Sequence, residues 1–339
     1  FLSELGRCRI HEEFGAEAKP LVCRMFPLQF VPHEEQAMLT LRRACPSAAA
    51  DEGRELSVHL SEARRLADEG SLVDQGAAAP LIKPGEATDW KRSRMVLEAL
   101  RRITCDERFP PVHRLVQGLE FCRLLDLANT REFSHGKQNE LVGVLEGMMA
   151  DEAAPHFAER AEPSAAARML FRQWALELVG LHPGWEVQAS WRHRFQRAWW
   201  ALRMARGRGQ LPQAHRAFAE ATFEQLEEPL GRLDAAVYQP LFRYFETSTS
   251  SCVYALANRR GWSVIESYRQ LALLYPLAMW LLRWKTFGRP ATPQDMVEIV
   301  VALDRSQGYA PLSGAKQRSR ISTLNKLQSL APLTVWYAR

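Results

Sequence analysis

The sequence has no Cys-x-x-Cys pair, so the tightest thiolate spacing of a structural zinc site is missing. Its six cysteines, in 339 residues, are too few for a disulfide scaffold, and a reducing, cytosolic compartment is expected. It also has no apolar run of the about twenty residues needed to cross a bilayer. The longest, Leu271 to Leu282, contains Pro276 and reads as a buried, kinked core helix. Neither a Gly-x-Ser-x-Gly elbow nor a His-Glu-x-x-His helix occurs, so serine-hydrolase and zincin chemistry have no support. Glycine is dense only at Arg206-Gly207-Arg208-Gly209, which no predicted strand precedes, and a Rossmann-type nucleotide or S-adenosylmethionine turn is not expected. No segment recurs at a fixed period, which excludes a solenoid. Lysine is scarce: seven of the 44 basic residues are Lys and the rest Arg, so the net charge of +5 says little about partners.

What is present is a length and an apolar fraction of 47% that suit one large or two ordinary globular domains. Half of the cysteines fall in the first fifty residues, in Cys8-Arg9-Ile10-His11, in Lys19-Pro20-Leu21-Val22-Cys23-Arg24-Met25-Phe26-Pro27 and in Cys45-Pro46. Thiolates are soft ligands, and short proline-stiffened connections between them suit a zinc or iron-sulfur site. The competing reading is that each is a small buried hydrophobe. His11 is expected to be an ordinary polar residue, although imidazole would make a fourth donor. Between Cys23 and Cys45 the apolar period becomes two. Phe26, Leu28 and Phe30 alternate with their neighbours, Pro32 to Gln36 makes a turn, and Met38 to Leu41 resumes, which predicts a β-hairpin. The hairpin would return Cys45 to the end from which Cys23 departs, with Phe26 and Phe30 as core.

The string Cys8-x-Ile10-His11, Lys19-Pro20-x-x-Cys23-Arg24-x-Phe26-Pro27 and Cys45-Pro46 resembles the YkgJ-type cysteine-cluster family, a zinc- or iron-chelating domain that includes FliB-like flagellin lysine N-methylases. The resemblance covers about the first fifty residues. It implies Cys8, Cys23 and Cys45 as metal ligands, zinc or an iron-sulfur cluster as the group held, S-adenosylmethionine as a cosubstrate, and flagellin or another protein as substrate. Family members carry a Cys-x-x-Cys-Cys-like cluster ahead of this string. A chain that opens on Phe1 reads as a fragment, and three thiolates complete neither a zinc site nor a cluster, so the further ligands are expected upstream.

Beyond Cys45 the pattern is helical, and the expected fold class is mainly α: a multi-helical body preceded by a small cysteine-bearing module with a hairpin. Residues 1–70 are read as that module, 71–88 as a linker containing Ala77-Ala78-Ala79-Pro80 and Pro84-Gly85, and 89–339 as the helical domain. Helices are expected over Glu55–Leu66, Trp90–Ile103 behind an Asp89 cap, Pro111–Leu127, 136–152, 165–181, Gln188–Arg206, Pro212–Glu228, Ala235–Thr247, Ser263–Trp284, from Thr292-Pro293 to near Asp304, and Arg318–Leu330. Cys105, Cys122 and Cys252 are scattered singly, and Cys105 and Cys122 read as structural. Glu227-Glu228, at a helix end, reads as solvated surface.

Gln188 to Arg206 interleaves Arg192, Arg194, Arg197, Arg203 and Arg206 with Trp191, Phe195, Trp199 and Trp200. At about 100° per residue, Arg192, Arg203 and Arg206 share one side while Arg194 and Arg197 lie nearly opposite. A phosphate-tracking face should be single, so no nucleic-acid partner is expected, and no membrane partner either. Two functions follow: a metal-cluster protein that methylates a protein lysine, or a non-catalytic helical interaction protein with a structural metal clip.

Overall fold

Capping residues and prolines decide where this chain enters its helices. The computed structural model describes residues 8–70, 77–179, 191–212, 218–231, 233–257, 261–308 and 314–339. The first part holds two short helices, α1 (Arg9–Phe14) and α2 (Leu21–Met25), then strands β1 (Leu28–His33) and β2 (Gln36–Leu41). A further short helix, α3 (Pro46–Ala49), a 3-10 turn at Leu56–His59 and α4 (Leu60–Glu69) follow. The body comprises α5 (Trp90–Thr104), α6 (Pro111–Leu127), α7 (His135–Glu159), α8 (Ala165–Val179) and α9 (Trp191–Arg206). It continues with α10 (Phe223–Glu227), α11 (Ala235–Ser250), α12 (Val253–Leu256), α13 (Val264–Thr286), α14 (Pro293–Gly308), α15 (Gly314–Lys326) and α16 (Leu330–Trp336). The fold is mainly α with an amino-proximal hairpin, as expected.

α13 is the axis of the body. All but two of its 23 residues are buried, including Pro276, and it packs against α6, α14 and α16. Ser263 and Glu266 form the capping box read from the sequence, each bonding the other's backbone amide at 3.3 and 2.9 Å. The next two amides of that first turn are met from outside the helix, because Val264 and Ile265 donate to the carbonyls of Leu81 and Ile82 at 2.7 and 3.3 Å. The described part of the expected linker, 77–88, therefore lies across the start of α13, with Ile82 and Lys83 buried.

α6 approaches α13 closely at Gly118. A Cβ there would lie 2.0 Å from the hydroxyl oxygen of Tyr268, which is buried and shares a 2.8 Å hydrogen bond with Thr104 of α5. Glycine is thus what lets three helices meet around one tyrosine. At the other end of α13, buried Arg283 donates to three backbone carbonyls, of Glu228 (3.2 Å), Tyr337 (3.0 Å) and Arg339 (2.5 Å). Burial holds this guanidinium down to about 10. The Glu227 carboxylate accepts from the Tyr337 hydroxyl (2.8 Å) and the Trp336 indole (3.0 Å), with Arg172 of α8 at 3.6 Å. Glu227 is therefore an anchor between α10 and residues 336–337, not the solvated acid expected from its neighbourhood.

Three expectations fail. Within 212–228 the described residues are helical only over α10. Gly209, at φ +73°, turns the chain, Gln210 bridges Thr222, and the capping box of Thr222 with Gln225 starts the helix late. The expected last helix is two, broken between α15 and α16 by Gln328 at φ +49°. In the hairpin, Phe26 is exposed and Phe30 half-buried, because the opposite face, with Val31 and Thr40, is the buried one, and β1 lies against α12.

α14 opens on a compact ion-pair cap. Arg289 reaches both oxygens of buried Asp295, at 2.6 and 2.8 Å, and Thr292 adds its amide and hydroxyl at 3.0 and 2.8 Å. Arg289, and then the Thr292 bonds, hold the Asp295 carboxyl well below the usual carboxylate range, outweighing burial. A group with a depressed folded value stabilises fully above its unfolded value of about 4 and loses that contribution as the pH falls below it. The stability gap between wild type and Asp295→Asn, from urea unfolding, should be widest near neutrality and narrow below about pH 4. A gap independent of pH would show that Asp295 acts by shape alone.

Candidate functional site

The hairpin register decides what the cysteines can do together. Leu28 pairs with Leu41, Phe30 with Leu39 and His33 with Gln36, and the Arg42 amide extends the ladder to the Pro27 carbonyl at 2.8 Å. The turn residues Glu34 and Glu35 are thus at one end, and Cys23 and Cys45 leave from the other. Each cysteine is held by helix chemistry rather than by a bridge. Cys8 precedes α1 and its carbonyl accepts from His11 and Glu12, Cys23 lies within α2, and Cys45 precedes α3, where Pro46 takes the first helical position. All three are free thiols, Cys23 exposed and the other two half-buried.

The module is pinned at both ends. At the turn, Glu34 pairs with Arg94, its carbonyl accepts from Ala77, and the His33 ring lies 4.9 Å from that of Trp90. At the open end, the Asp304 carboxylate of α14 accepts from Arg42 and from the Ala44 amide, both at 2.8 Å, while Arg43 reaches the Thr247 hydroxyl of α11 at 2.9 Å. Arg24, next to Cys23, pairs with Glu17 and with Glu69 of α4. The hairpin is tied to the body, yet α1 and α2 contain no buried residue, and Phe14, Val22 and Phe26 are exposed.

Among the described residues, no three Cys, His, Asp or Glu side chains come together in a group able to hold a metal ion. The register places Cys23 and Cys45 beyond one hairpin end, but it does not gather Cys8, Cys23 and Cys45 into a three-donor set. A structural zinc takes four protein ligands and an iron-sulfur cluster usually four cysteines, so these residues alone fit neither group. The other thiols are different in kind. Burial pushes Cys122 up to about 12 and Cys252 up to about 11, leaving both neutral, while Cys105 sits 3.7 Å from the hydroxyls of Thr249 and Ser250.

Two features were not foreseen. On α6, Glu120 is buried and accepts from His156 of α7 at 2.9 Å. Burial pushes its carboxyl up, but His156 and Arg123 outweigh that and leave it below its ordinary value. Arg123 also reaches Glu152 of α7, so the group is an ion-pair tie between two helices. The spacing of Glu120 and His156 carries no sequence signal, since they meet only through tertiary packing. The second feature is a cavity of about 330 Å³ lined in part by Arg203, Gln210, Leu211 and Trp284. No protein-family model, curated protein or solved structure matches this chain.

Proposed function

We propose that residues 8–50 are a metal-binding module in which Cys23 and Cys45, with Cys8, supply thiolates to an iron-sulfur or zinc centre whose remaining donors lie outside the described residues. The observation that carries this reading is the hairpin register, which sends two free cysteines out of the same seated end. The exposed Phe14, Val22 and Phe26 in and just after α1 and α2 support it, because exposed apolar side chains are what a completing segment would cover.

The test is metal content after anaerobic expression within the full parent protein. Cys23→Ser should weaken metal binding at least about tenfold, while Cys122→Ala, at a buried neutral thiol, should not. Equal metal in the two variants, or none in the wild type, ends the proposal. The resemblance extends to methyl transfer from S-adenosylmethionine to a protein lysine, with flagellin as acceptor. Labelled S-adenosylmethionine added with cell extract tests that extension. If no protein is labelled, the module is a metal clip on a helical interaction body.

A further inference from the structure

α9 shows two unlike faces. Met204 and Trp200 are buried, and the Met204 carbonyl accepts from Arg172 of α8 at 2.9 Å, which fixes the helix to the body. Its other face is apolar and turned outward: Phe195 is 72% exposed, Trp199 56% and Leu202 46%. At positions i, i+4 and i+7 these three fall within about 60° of arc, a continuous stripe along two turns. Arg206 falls on the same side and is exposed, as is Arg208 just beyond the helix. Charge sets this stripe apart from the other exposed apolar residues. From Val187 to Ala219 the sequence has seven arginines and no aspartate or glutamate.

We propose that α9 docks this protein on an anionic lipid surface, with Trp199, Leu202 and Phe195 entering the boundary between headgroups and acyl chains and the exposed Arg206 and Arg208 meeting lipid phosphates. An interfacial helix has this composition, aromatic and aliphatic on one face and arginine around it. The contact is peripheral, since among the described residues no helix is long and apolar enough to cross a membrane. Two alternatives fit the chemistry less well. A second copy of the same face would set the exposed Arg206 and Arg208 against their own copies. A nucleic-acid strand would want flat rings for stacking along its track, whereas Leu202 cannot stack. A bilayer accepts cations beside an inserted apolar stripe, the place that Arg206 and Arg208 take. This inference is independent of the metal reading.

Flotation of the whole chain with vesicles tests it. Binding is expected to vesicles of phosphatidylcholine with phosphatidylserine, to weaken with added salt, and to be lost with phosphatidylcholine alone. Trp199→Ser with Leu202→Ser keeps every charge and changes only exposed side chains, so the thermal unfolding midpoint should stay at the wild-type value while vesicle partitioning falls at least about tenfold. Unchanged partitioning of the double variant overturns the proposal, as does equal binding to neutral vesicles or no binding to either. If a single-stranded oligonucleotide displaces the protein from vesicles and is bound more weakly by the double variant, the face is a nucleic-acid site and the lipid assignment fails.

Discussion

Arg283→Ala is expected to lower the unfolding free energy by about 4 kcal/mol, because it strips the hydrogen bonds from three backbone carbonyls at once and leaves a cavity around them. The carbonyls of Glu228, Tyr337 and Arg339 belong to chain segments that also meet through the Leu230 amide, which donates to Arg339 at 3.0 Å, and through the Glu227 anchor. Arg283→Lys keeps the charge but cannot present a planar fork, so about half of the loss should remain. Urea unfolding measures both values, and amide exchange at Leu230 reports the local release. A loss below roughly 1 kcal/mol for Arg283→Ala would mean that water replaces the guanidinium without penalty.

Gly118→Ala should cost about 2 kcal/mol, and the sign of the effect depends on Tyr268. Alanine is the better helix former by about 1 kcal/mol, so propensity alone would stabilise α6. The added Cβ instead lands 2.0 to 2.5 Å from the Tyr268 ring and hydroxyl. To make room, the ring has to leave its site and its bond to Thr104, an overpacking cost of about 1 to 3 kcal/mol with about 1 more for the bond. In a Tyr268→Ala background the obstruction is gone, and Gly118→Ala should become stabilising. Chemical denaturation of the four proteins decides it. Additive effects would place the strain elsewhere than at this contact.

Legibility followed the range over which each signal acts. Asp89 and Ser263 with Glu266 cap helices from three residues away, and the helices they begin lie close to where the sequence predicts them. The hairpin was legible as well, since its period of two and its turn lie within twenty residues. Which of its faces is buried was not, because that depends on α12 and α14, more than two hundred residues away. The same limit applied to Glu227, whose partners at 336 and 337 make an anchor of an acid that reads as surface. It also governed the cysteines. Spacing could suggest that Cys23 and Cys45 leave one hairpin end, but whether a third donor joins them is a matter of tertiary distance. At 212–228 the failure was local, a turn at Gly209 and a competing cap at Thr222.

Asp304, which accepts from Arg42 and the Ala44 amide, joins positions 260 and more residues apart. During translation the thiol-bearing hairpin leaves the ribosome long before this carboxylate exists, at about 5–20 residues per second. For that interval the nascent hairpin lacks one of its ties to the body, and a two-stranded ribbon alone is marginal in water. Closure of the open hairpin end is thus coupled to the arrival of sequence near the far end, and a ribosome that stalls before residue 304 would release a chain in which Arg42 and the Ala44 amide lack this acceptor.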